Sequence, residues 1–362
     1  MNILILTGQF GMGHYSAAES LKQDILVQNP DMQVNVVDII EYMVPRFSKA
    51  IYGGFNFMVS KCSWLYNFLN QVSARYSRAP FERTFIRKLE NLLGKFQPEL
   101  IISTLPLCSQ YISAYKSMRK CNITLYTYVT DITAHEEWIS QNTSMYFVGS
   151  ESTKNTLISK GVAPEKIIIS GIPVKRAFKE CSVNKRNEYG DPVKEILIMG
   201  GGLGLIPSTD KMLKQLSQNA SVHVTIITGK NEKLLGKIKK EFPNIEAIGY
   251  TDKVCEYMKR ADVVVTKSGG ITTFEAINCE TPLYVIKPFL SQEVGNAEYI
   301  QSLNIGRVLW SNNINIAGDL LSLIENQKLL NKMQENMREV KSRLNPSSPL
   351  SFYYSEENNL CL

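Results

Sequence analysis

The sequence lacks several signals that mark common classes of protein. Its seven cysteines are odd in number and no two have the C-x-x-C spacing, so reduced thiols are expected rather than a disulfide framework or a zinc site. No uninterrupted apolar run reaches about 18 residues, so a membrane-spanning helix is not expected. Asp-x-Asp, the usual carboxylate pair of a metal–diphosphate site, does not occur. Any diphosphate site is therefore expected to work without a metal.

What is present is the composition of a soluble globular protein. Hydrophobic residues make up 44% and charged residues 20% of the 362 positions, and this length favours two domains. The net charge of +6 is mildly basic, but no recognised nucleic-acid motif accompanies it, so no nucleic-acid partner is expected. Residues 1–7 form a strand pattern followed by glycines rather than a signal peptide. With the reduced thiols, this favours a cytoplasmic protein.

Predicted strands alternate with predicted helices along the chain. Such β–α alternation predicts an α/β fold with parallel sheets and helices on both faces. The pattern restarts near 171–191, which predicts two Rossmann-like domains facing across a cleft, with ligands at the carboxyl ends of the strands. The predicted strands are 2–6, 34–38, 100–103, 124–129 and 145–148 in the first half, and 195–199, 222–228, 247–248, 263–266 and 283–286 in the second.

The domain boundary is placed where glycines and prolines bracket a charged stretch. A single long helix is predicted from Ile316 to Leu344, and the prolines that follow end it. The predicted parts are a domain at 1–175 with an insert at 42–95, a second domain at 176–345, and a tail at 346–362 that is either docked or mobile.

The stretch from 265 to 299 is the most informative part of the chain. A buried strand there ends in a turn of small residues, and a helix follows. Such a turn leaves backbone N–H groups aimed at one point, and the helix dipole adds partial positive charge, so the position suits a phosphate. Lys267 would lie near the phosphates, or it is a surface lysine. The turn and the helix start contain Lys267, Ser268, Gly269, Gly270 and Thr272.

Carboxylate and amide side chains in the same stretch could contact sugar hydroxyls. Glu275 lies one turn into the helix, where it could accept hydrogen bonds from a ribose or simply face solvent. Gln292, Glu293 and Asn296 follow the next strand and could contact further hydroxyls. Phosphate, ribose and sugar contacts within one stretch together favour a nucleotide-sugar site.

Three other predicted strands are followed by residues that could serve a site. The turn at 11–14 brings His14 toward the predicted cleft, although a plain tight turn with a surface histidine is the alternative. The glycine cluster at 200–204 resembles a phosphate-cradling turn, which is a weak signal by itself. Asp131 lies just past the strand at 124–129, a position suited to a general base or to a helix N-cap, and His135 is a second candidate.

Residues 42–95 are rich in aromatic and basic side chains. From 46 to 95 there are nine basic and two acidic residues, so nine minus two gives a net charge of +7. Helices of this kind can lie in an anionic membrane interface. The alternative is a helical subdomain whose aromatic residues form a core and whose basic residues face water.

Taken together, these residues resemble the glycosyltransferase family that holds the processive diacylglycerol β-glucosyltransferases and the plant monogalactosyldiacylglycerol synthases. The lipid II-forming N-acetylglucosaminyltransferase is similar at a greater distance. The resemblance covers nearly the whole chain, with departures at Ser268, Ser291 and Glu136-Glu137 that bear on the sugar and the acceptor. It rests on Gly11-x-Gly13-His14, Thr130-Asp131 with His135 and Trp138, residues 170–174, the glycine loop after Met199, residues 266–272 with Glu275, and Lys287-Pro288 with Gln292, Glu293 and Asn296.

The resemblance implies a GT-B fold, a UDP-sugar donor, inversion at the anomeric carbon and monotopic membrane association. The UDP-sugar would be a co-substrate, with no cofactor. The other expected partners are a lipid acceptor and the anionic inner face of the cell membrane. Asp131 is the first choice as the base, with His14 as the rival or as a group that orients Asp131 or stabilises the departing diphosphate.

The remaining residues fall into donor and acceptor groups. The backbone at Ile248, Gly249 and Tyr250 would hold uracil, Glu275 the ribose, and Gln292, Glu293 and Asn296 the sugar. The diphosphate would lie against the turns that contain Gly11, Gly13, Gly201, Gly202, Lys267, Ser268, Gly269, Gly270 and Thr272. Acceptor or membrane contacts are expected at Trp64, Arg75, Arg78, Arg83, Arg87, His135 and Trp138.

Three other functions remain open at this point. A transferase acting on a soluble natural product is the strongest rival. A UDP-sugar epimerase would form an epimer without any acceptor and would not need the basic-aromatic insert. A non-catalytic UDP-sugar sensor would not need both Asp131 and His14.

Overall fold

The computed structural model describes residues 1–61, 82–133, 136–180, 193–202, 204, 206, 210–288, 290–311 and 315–360. Across these ranges, no helix combines the length and the apolar composition needed to cross a membrane. The contacts divide the chain into two compact units, the first formed by 1–176 together with 344–362 and the second by 177–343.

The first unit is built on a six-stranded sheet in which every neighbouring pair is parallel. Its strand order is β2-β1-β3-β4-β5-β6. Because β3 lies between β1 and β4, residues that follow these three strands meet at one edge of the sheet. The strands are β1 (Asn2–Thr7), β2 (Gln33–Asp38), β3 (Leu100–Ser103), β4 (Thr124–Tyr128), β5 (Met145–Val148) and β6 (Ile167–Ile169).

The middle strands are apolar on both faces because helices cover both sides of a parallel sheet. In β1, Ile3 and Ile5 pack on one face with Ile25. Leu4 and Leu6 point to the other face and pack with a second set of buried side chains. Because side chains alternate between the two faces of a strand, β1 contributes to two separate cores.

The second unit repeats this architecture with different strands. Its order is β12-β11-β10-β7-β8-β9, again with all pairs parallel. The strands β11, β10 and β7 are neighbours, so the segments that follow them share one edge. The strands are β7 (Lys194–Met199), β8 (Val222–Ile227), β9 (Glu246–Ile248), β10 (Val263–Thr266), β11 (Leu283–Ile286) and β12 (Gly306–Leu309).

The helices lie between the strands in both units. Up to residue 179 they are Gly13–Gln28, Ile39–Met43, Ser48–Lys61, Glu82–Phe96, Pro106–Arg119, Glu151–Ser159 and Arg176–Lys179, with short 3-10 helices at Glu136–Trp138 and Pro164–Lys166. Beyond it they are Asp210–Ser217, Glu232–Glu241, Val254–Arg260, Gly270–Cys279, Ser291–Ser302, Ile316–Glu325, Gln327–Arg343 and Pro349–Leu360.

The long helix predicted from 316 to 344 is wrong in one respect, because it is two helices. Asn326 lies between them, and its side-chain oxygen accepts a hydrogen bond from the Leu329 amide at 3.0 Å. Asparagine favours this capping role because a short polar side chain can replace the missing backbone partner at a helix start. The local break therefore starts a second helix instead of continuing the first.

The segment after the second helix returns to the first unit. The Asn345 amide donates to the carbonyl of Ile169 in β6 at 2.8 Å. Leu350 and Tyr353 are buried in the same core as Ile3, and the Phe352 ring meets the Phe147 ring edge-on at 5.6 Å. The region predicted as a tail at 346–362 thus contains a helix that packs on the first sheet.

Candidate functional site

Residues that follow β1 and β4 form a cluster in the first unit. His14 lies at the start of the helix Gly13–Gln28, and its Nδ1 is 2.6 Å from the Thr130 hydroxyl. Asp131 follows directly, and the indole N–H of Trp138 donates to its Oδ2 at 3.0 Å. The rings of His14 and Trp138 are 6.1 Å apart. The two predicted acid–base residues are therefore brought together at one edge of the sheet.

A residue that follows β3 completes this cluster. The Thr104 hydroxyl lies 2.8 Å from the Thr7 hydroxyl and donates to the His14 carbonyl at 3.0 Å. Thr104 is fully buried, so this link is shielded from water. The sequence analysis missed Thr104, although it comes directly after a predicted strand, the same signal that selected Asp131.

Trp138 does not occupy the place predicted for it. An acceptor contact needs an accessible side chain, but Trp138 is 0% exposed and packs with Val129, Tyr146 and Val148. The indole N–H, the only polar group of its side chain, donates to Asp131. A buried indole needs a partner for its N–H, and the carboxylate supplies one. Trp138 therefore orients the Asp131 carboxylate from the core of the first unit.

The environment of His14 sets its protonation. Burial lowers the pKa of the imidazole below its ordinary value of 6.5, and the negative charge of Asp131 opposes this only in part. His14 is consequently neutral at pH 7. A hydrogen bond to the Thr104 backbone also acts on the ring and, like Asp131, raises the pKa without overcoming the effect of burial.

The glycine turn after β7 is held against the turn after β8. The carbonyl of Gly202 accepts from the Lys230 amide at 3.1 Å, and that of Gly201 accepts from the Gly204 amide at 2.9 Å. Gly204 has φ +63, and an added Cβ would lie 1.9 Å from the Thr228 oxygen, so only glycine fits there. No described group accepts a bond from the amides of Gly201 and Gly202. Two such N–H groups at the end of a strand suit an anion.

The turn after β10 divides into a structural part and an available part. Ser268 is buried, and its hydroxyl donates to the Glu293 carbonyl at 2.6 Å, so this side chain does not reach a phosphate as predicted. Gly269 is the N-cap of the helix Gly270–Cys279. The first amides of that helix, including those of Gly270 and Thr272, have no partner within the helix and suit an anion.

Lys267 and Glu293 are paired with each other rather than pointing to separate parts of a ligand. Their charged atoms are 3.1 Å apart, and the Glu293 side chain is 7% exposed. The pair neutralises two charges next to the helix start. Glu293 was expected to bind a sugar, and in the structure its buried carboxylate is paired with Lys267.

Asn296 offers a polar atom that the fold leaves unsatisfied. Its Nδ2 donates to the Ser268 carbonyl at 2.8 Å, whereas its Oδ1 is buried and has no partner in the described part of the chain. A buried acceptor without a donor is costly, so a ligand hydroxyl or a water would stabilise it. Gln292 lies on the same helix and is half-buried, and Glu275 is half-buried on the helix before it.

The segment after β9 differs from the prediction in one detail. The Ile248 carbonyl accepts both the amide of Thr228 at 2.8 Å and its hydroxyl at 3.1 Å. That carbonyl is therefore already occupied. The backbone of Gly249 and Tyr250 is left for uracil, and the Tyr250 ring is largely exposed, with the Lys230 ammonium 6.0 Å from its centre.

The described parts of the 42–95 insert combine core and surface aromatic residues. Phe85 meets Tyr111 edge-on at 5.6 Å and belongs to the core. Phe47 and Phe57, in contrast, are 64% and 60% exposed. Arg87 is exposed, whereas Trp64, Arg75, Arg78 and the side chain of Arg83 lie outside the described residues, as does His135.

Comparisons with known proteins match both units. The family description monogalactosyldiacylglycerol (MGDG) synthase matches residues 14–174, and the glycosyltransferase family 28 C-terminal domain matches 195–346. A processive diacylglycerol beta-glucosyltransferase of Staphylococcus epidermidis is 30% identical, over 94% of this chain and 88% of its own length. The chain belongs to the family of the processive diacylglycerol beta-glucosyltransferases.

Solved structures agree on the fold of this diacylglycerol glucosyltransferase family member. MurG of Acinetobacter baumannii has a TM-score of 0.56 at 12% identity, covering 96% of this chain and 97% of its own. The calicheamicin glycosyltransferase CalG4 has a TM-score of 0.63 at 12% identity, covering all of both chains. The predicted family, the GT-B fold and the assignment as a glycosyltransferase are confirmed.

Proposed function

We propose that this protein transfers a hexose from a UDP-sugar to a hydroxyl of a lipid acceptor, first of all diacylglycerol. The transfer inverts the anomeric carbon and needs neither metal nor cofactor. The observation that carries the proposal is the Asp131 carboxylate held by Trp138 beside the neutral His14. Diacylglycerol is proposed as the acceptor because the relative that is 30% identical along nearly the whole chain is named for that acceptor.

The second unit supports a donor bound through its diphosphate. The amides of Gly201 and Gly202, to which no group in the described ranges bonds, and the first turn of the helix Gly270–Cys279 offer dipoles to negative charge. In the described residues no group of three His, Cys, Asp or Glu side chains could hold a metal ion. The orphaned Oδ1 of Asn296 would accept a sugar hydroxyl, and Glu275 the ribose.

Asp131 is proposed as the base that takes the acceptor proton. The acceptor oxygen attacks the anomeric carbon, the bond from that carbon to the diphosphate breaks, and the proton passes to Asp131. Trp138 fixes Oδ2, so Oδ1 is left to face the hydroxyl. His14 remains neutral, and its imidazole would orient Asp131 or stabilise the departing diphosphate.

The insert is proposed to bring the protein to the anionic inner face of the cell membrane. Its net charge of +7 over 46–95 gives an attraction of about 1 kcal/mol for each basic residue close to the surface. Phe47 and Phe57 add exposed apolar area on the same segment. Replacing Arg75, Arg78, Arg83 and Arg87 with Gln should weaken vesicle binding and leave UDP affinity unchanged.

A donor screen tests the reaction. UDP release would be measured with UDP-glucose, UDP-galactose and UDP-N-acetylglucosamine, each with and without diacylglycerol liposomes, and the anomeric configuration of the product would be read by NMR. Release that requires diacylglycerol and gives a β-linked lipid supports the proposal. Epimer formation without acceptor would favour an epimerase, and activity on soluble aglycones alone would favour the natural-product transferase.

Chelation tests the metal-independent part. Turnover should survive EDTA because backbone dipoles hold the diphosphate. Activity that is lost in EDTA and restored by magnesium or manganese would contradict this.

A further inference from the structure

The imidazole of His14 contacts a buried hydroxyl. Its Nδ1 lies 2.6 Å from the Oγ1 of Thr130, which follows β4 and is 5% exposed. Within the described ranges, the Thr130 hydroxyl has no second hydrogen-bond partner. One of the two atoms donates and the other accepts, and this choice fixes which ring nitrogen of the neutral histidine carries the proton.

The proton of the Thr130 hydroxyl decides the direction of this bond. A buried O–H without an acceptor costs free energy, and a threonine has only one such proton. If Nδ1 carried the ring proton, it would donate to Oγ1, and the O–H of Thr130 would have no acceptor in the described part of the chain. If Nδ1 is unprotonated, the hydroxyl donates to it and both groups are satisfied. The contact therefore places the ring proton of His14 on Nε2.

The backbone of Thr104 is consistent with this tautomer. Burial has the largest effect on the pKa of His14 and lowers it, whereas a hydrogen bond to the Thr104 backbone acts in the opposite direction. A backbone group that raises the pKa of a histidine accepts a proton from the ring, so this group is the carbonyl. Because Nδ1 already accepts from Thr130, the ring N–H that the carbonyl requires lies on Nε2.

Other groups hold the backbone of the turn that carries His14. The Thr104 hydroxyl donates to the His14 carbonyl at 3.0 Å. Earlier in the turn, the Gln9 amide donates to the Tyr52 hydroxyl at 3.0 Å. The backbone is therefore fixed independently of Thr130, whose hydroxyl acts on the ring.

This tautomer leaves the neutral ring without a free lone pair. A general base needs a lone pair that can take the proton from the substrate. In His14, the lone pair of Nδ1 is used by Thr130, and Nε2 carries the proton. Asp131 is the next residue after Thr130, and Trp138 donates to its Oδ2. A carboxylate keeps further lone pairs beside such a bond, so this short segment both orients the imidazole and supplies a base.

We propose that Thr130 is a positioning residue that holds His14 with Nδ1 as an acceptor and the proton on Nε2, so that the proton of the attacking hydroxyl passes to Asp131 and not to the imidazole. The destination of that proton rests on the proposed function. The tautomer does not, because it is carried by the contacts within the first unit.

NMR of the wild-type protein with isotope-labelled histidine tests the tautomer directly. The two ring nitrogens have separate resonances that distinguish a protonated from an unprotonated nitrogen, and His14→Gln assigns those of His14. At pH 7, where this ring is neutral, Nε2 should carry the proton and Nδ1 should be unprotonated. A proton on Nδ1 would overturn the proposal, whatever the enzyme's substrate.

Three variants test whether Thr130 holds the ring. Thr130→Val keeps the shape and removes the hydroxyl, so the Nδ1 resonance of His14 should move because this nitrogen loses its donor. Thr130→Ser keeps a hydroxyl and should retain the wild-type resonance. Thr127→Val is the matched control, because Thr127 is a fully buried threonine of β4 whose hydroxyl lies 3.4 Å from that of Thr143. An unchanged Nδ1 resonance in Thr130→Val would refute the positioning role.

Turnover then tests the consequence for the reaction. In Thr130→Val, kcat should fall about tenfold, the effect of one lost hydrogen bond, with unchanged UDP affinity, and Thr130→Ser should restore it. Thr127→Val should have wild-type turnover. Normal kcat in Thr130→Val would refute the role of Thr130 in the reaction. Wild-type protein that transfers no sugar to diacylglycerol would refute the proposed acceptor, whereas the NMR result would decide the tautomer by itself.

Discussion

Trp138 donates its indole N–H to Oδ2 of Asp131 at 3.0 Å, and the tryptophan itself is completely buried. The carboxylate is therefore oriented by the core of the first unit. Asp131→Asn keeps the shape and removes the proton acceptor, so kcat should fall at least about a hundredfold with little change in UDP binding. Steady-state kinetics and calorimetry measure the two quantities.

Trp138→Phe separates the orienting role from the base. It retains most of the packing and loses the hydrogen bond, so the fall in kcat should be smaller than for Asp131→Asn. If Asp131→Asn keeps near-normal turnover while His14→Ala is inactive, the base is His14.

The stability of the protein should depend on pH through His14. Its pKa in the folded state is lowered below 6.5, so on acidification the unfolded chain binds the proton first. The contribution is fully present above pH 6.5 and is lost as the pH falls from there through the lowered folded pKa. Urea unfolding of wild type and His14→Gln between pH 4 and 8 measures it. The variant should lose less stability on acidification, and identical pH profiles would count against this reading.

Glu275 is predicted to bind the ribose of the donor. Glu275→Ala should raise the dissociation constant of UDP about tenfold or more, because a charge-assisted hydrogen bond contributes about 1.5–3 kcal/mol. Isothermal titration with UDP gives the value. Glu298→Ala, an exposed position on the next helix, is a matched control. Unchanged affinity in Glu275→Ala would move ribose recognition elsewhere.

The Lys267–Glu293 pair should be a stability element. Lys267→Met leaves the Glu293 carboxylate buried without its partner, which should lower the free energy of unfolding by about 1–3 kcal/mol. This loss of stability is smaller than for a fully buried ion pair because the Lys267 side chain is 23% exposed to water. The double variant with Glu293→Gln should recover part of the loss in urea denaturation. No recovery would show that the two charges do not depend on each other.

Vesicle binding should depend on the exposed phenylalanines of the insert. Replacing both Phe47 and Phe57 with Ser should weaken binding to phosphatidylglycerol vesicles about tenfold or more, since each ring would otherwise transfer apolar area out of water. Val27→Ser, at a position 51% exposed on another helix, should leave sedimentation with the vesicles unchanged. Equal binding of all three proteins would remove this segment from the interface.

The sequence predicted ten of the strands because a buried parallel strand is a compact apolar run. It missed β6 and β12, each of which lies at one edge of its sheet. The first is apolar but only three residues long, and Arg307 interrupts the apolar pattern of the second. The residues at the strand ends were found because a parallel sheet brings its carboxyl ends to one edge.

The detailed role of each residue at that edge was harder to predict. Trp138 and Asp131 are close in sequence, but whether a tryptophan faces a ligand or the core depends on packing against β5, which composition does not reveal. The Tyr52–Gln9 bond joins residues 43 positions apart. Such contacts form only when the helices pack together in the fold, so the local sequence pattern does not predict them.

Because the helix Pro349–Leu360 packs on the first sheet, the two units can complete their folding at different times during synthesis. Residues 177–343 form a continuous unit, whereas the first unit needs side chains near residue 350 to cover Phe147 and its neighbours. A ribosome delivers the chain from the amino end, so the second unit can finish folding while the first still exposes part of its core. The nascent first unit therefore keeps part of its core uncovered until Leu350 and Tyr353, both buried in the finished fold, have been synthesised.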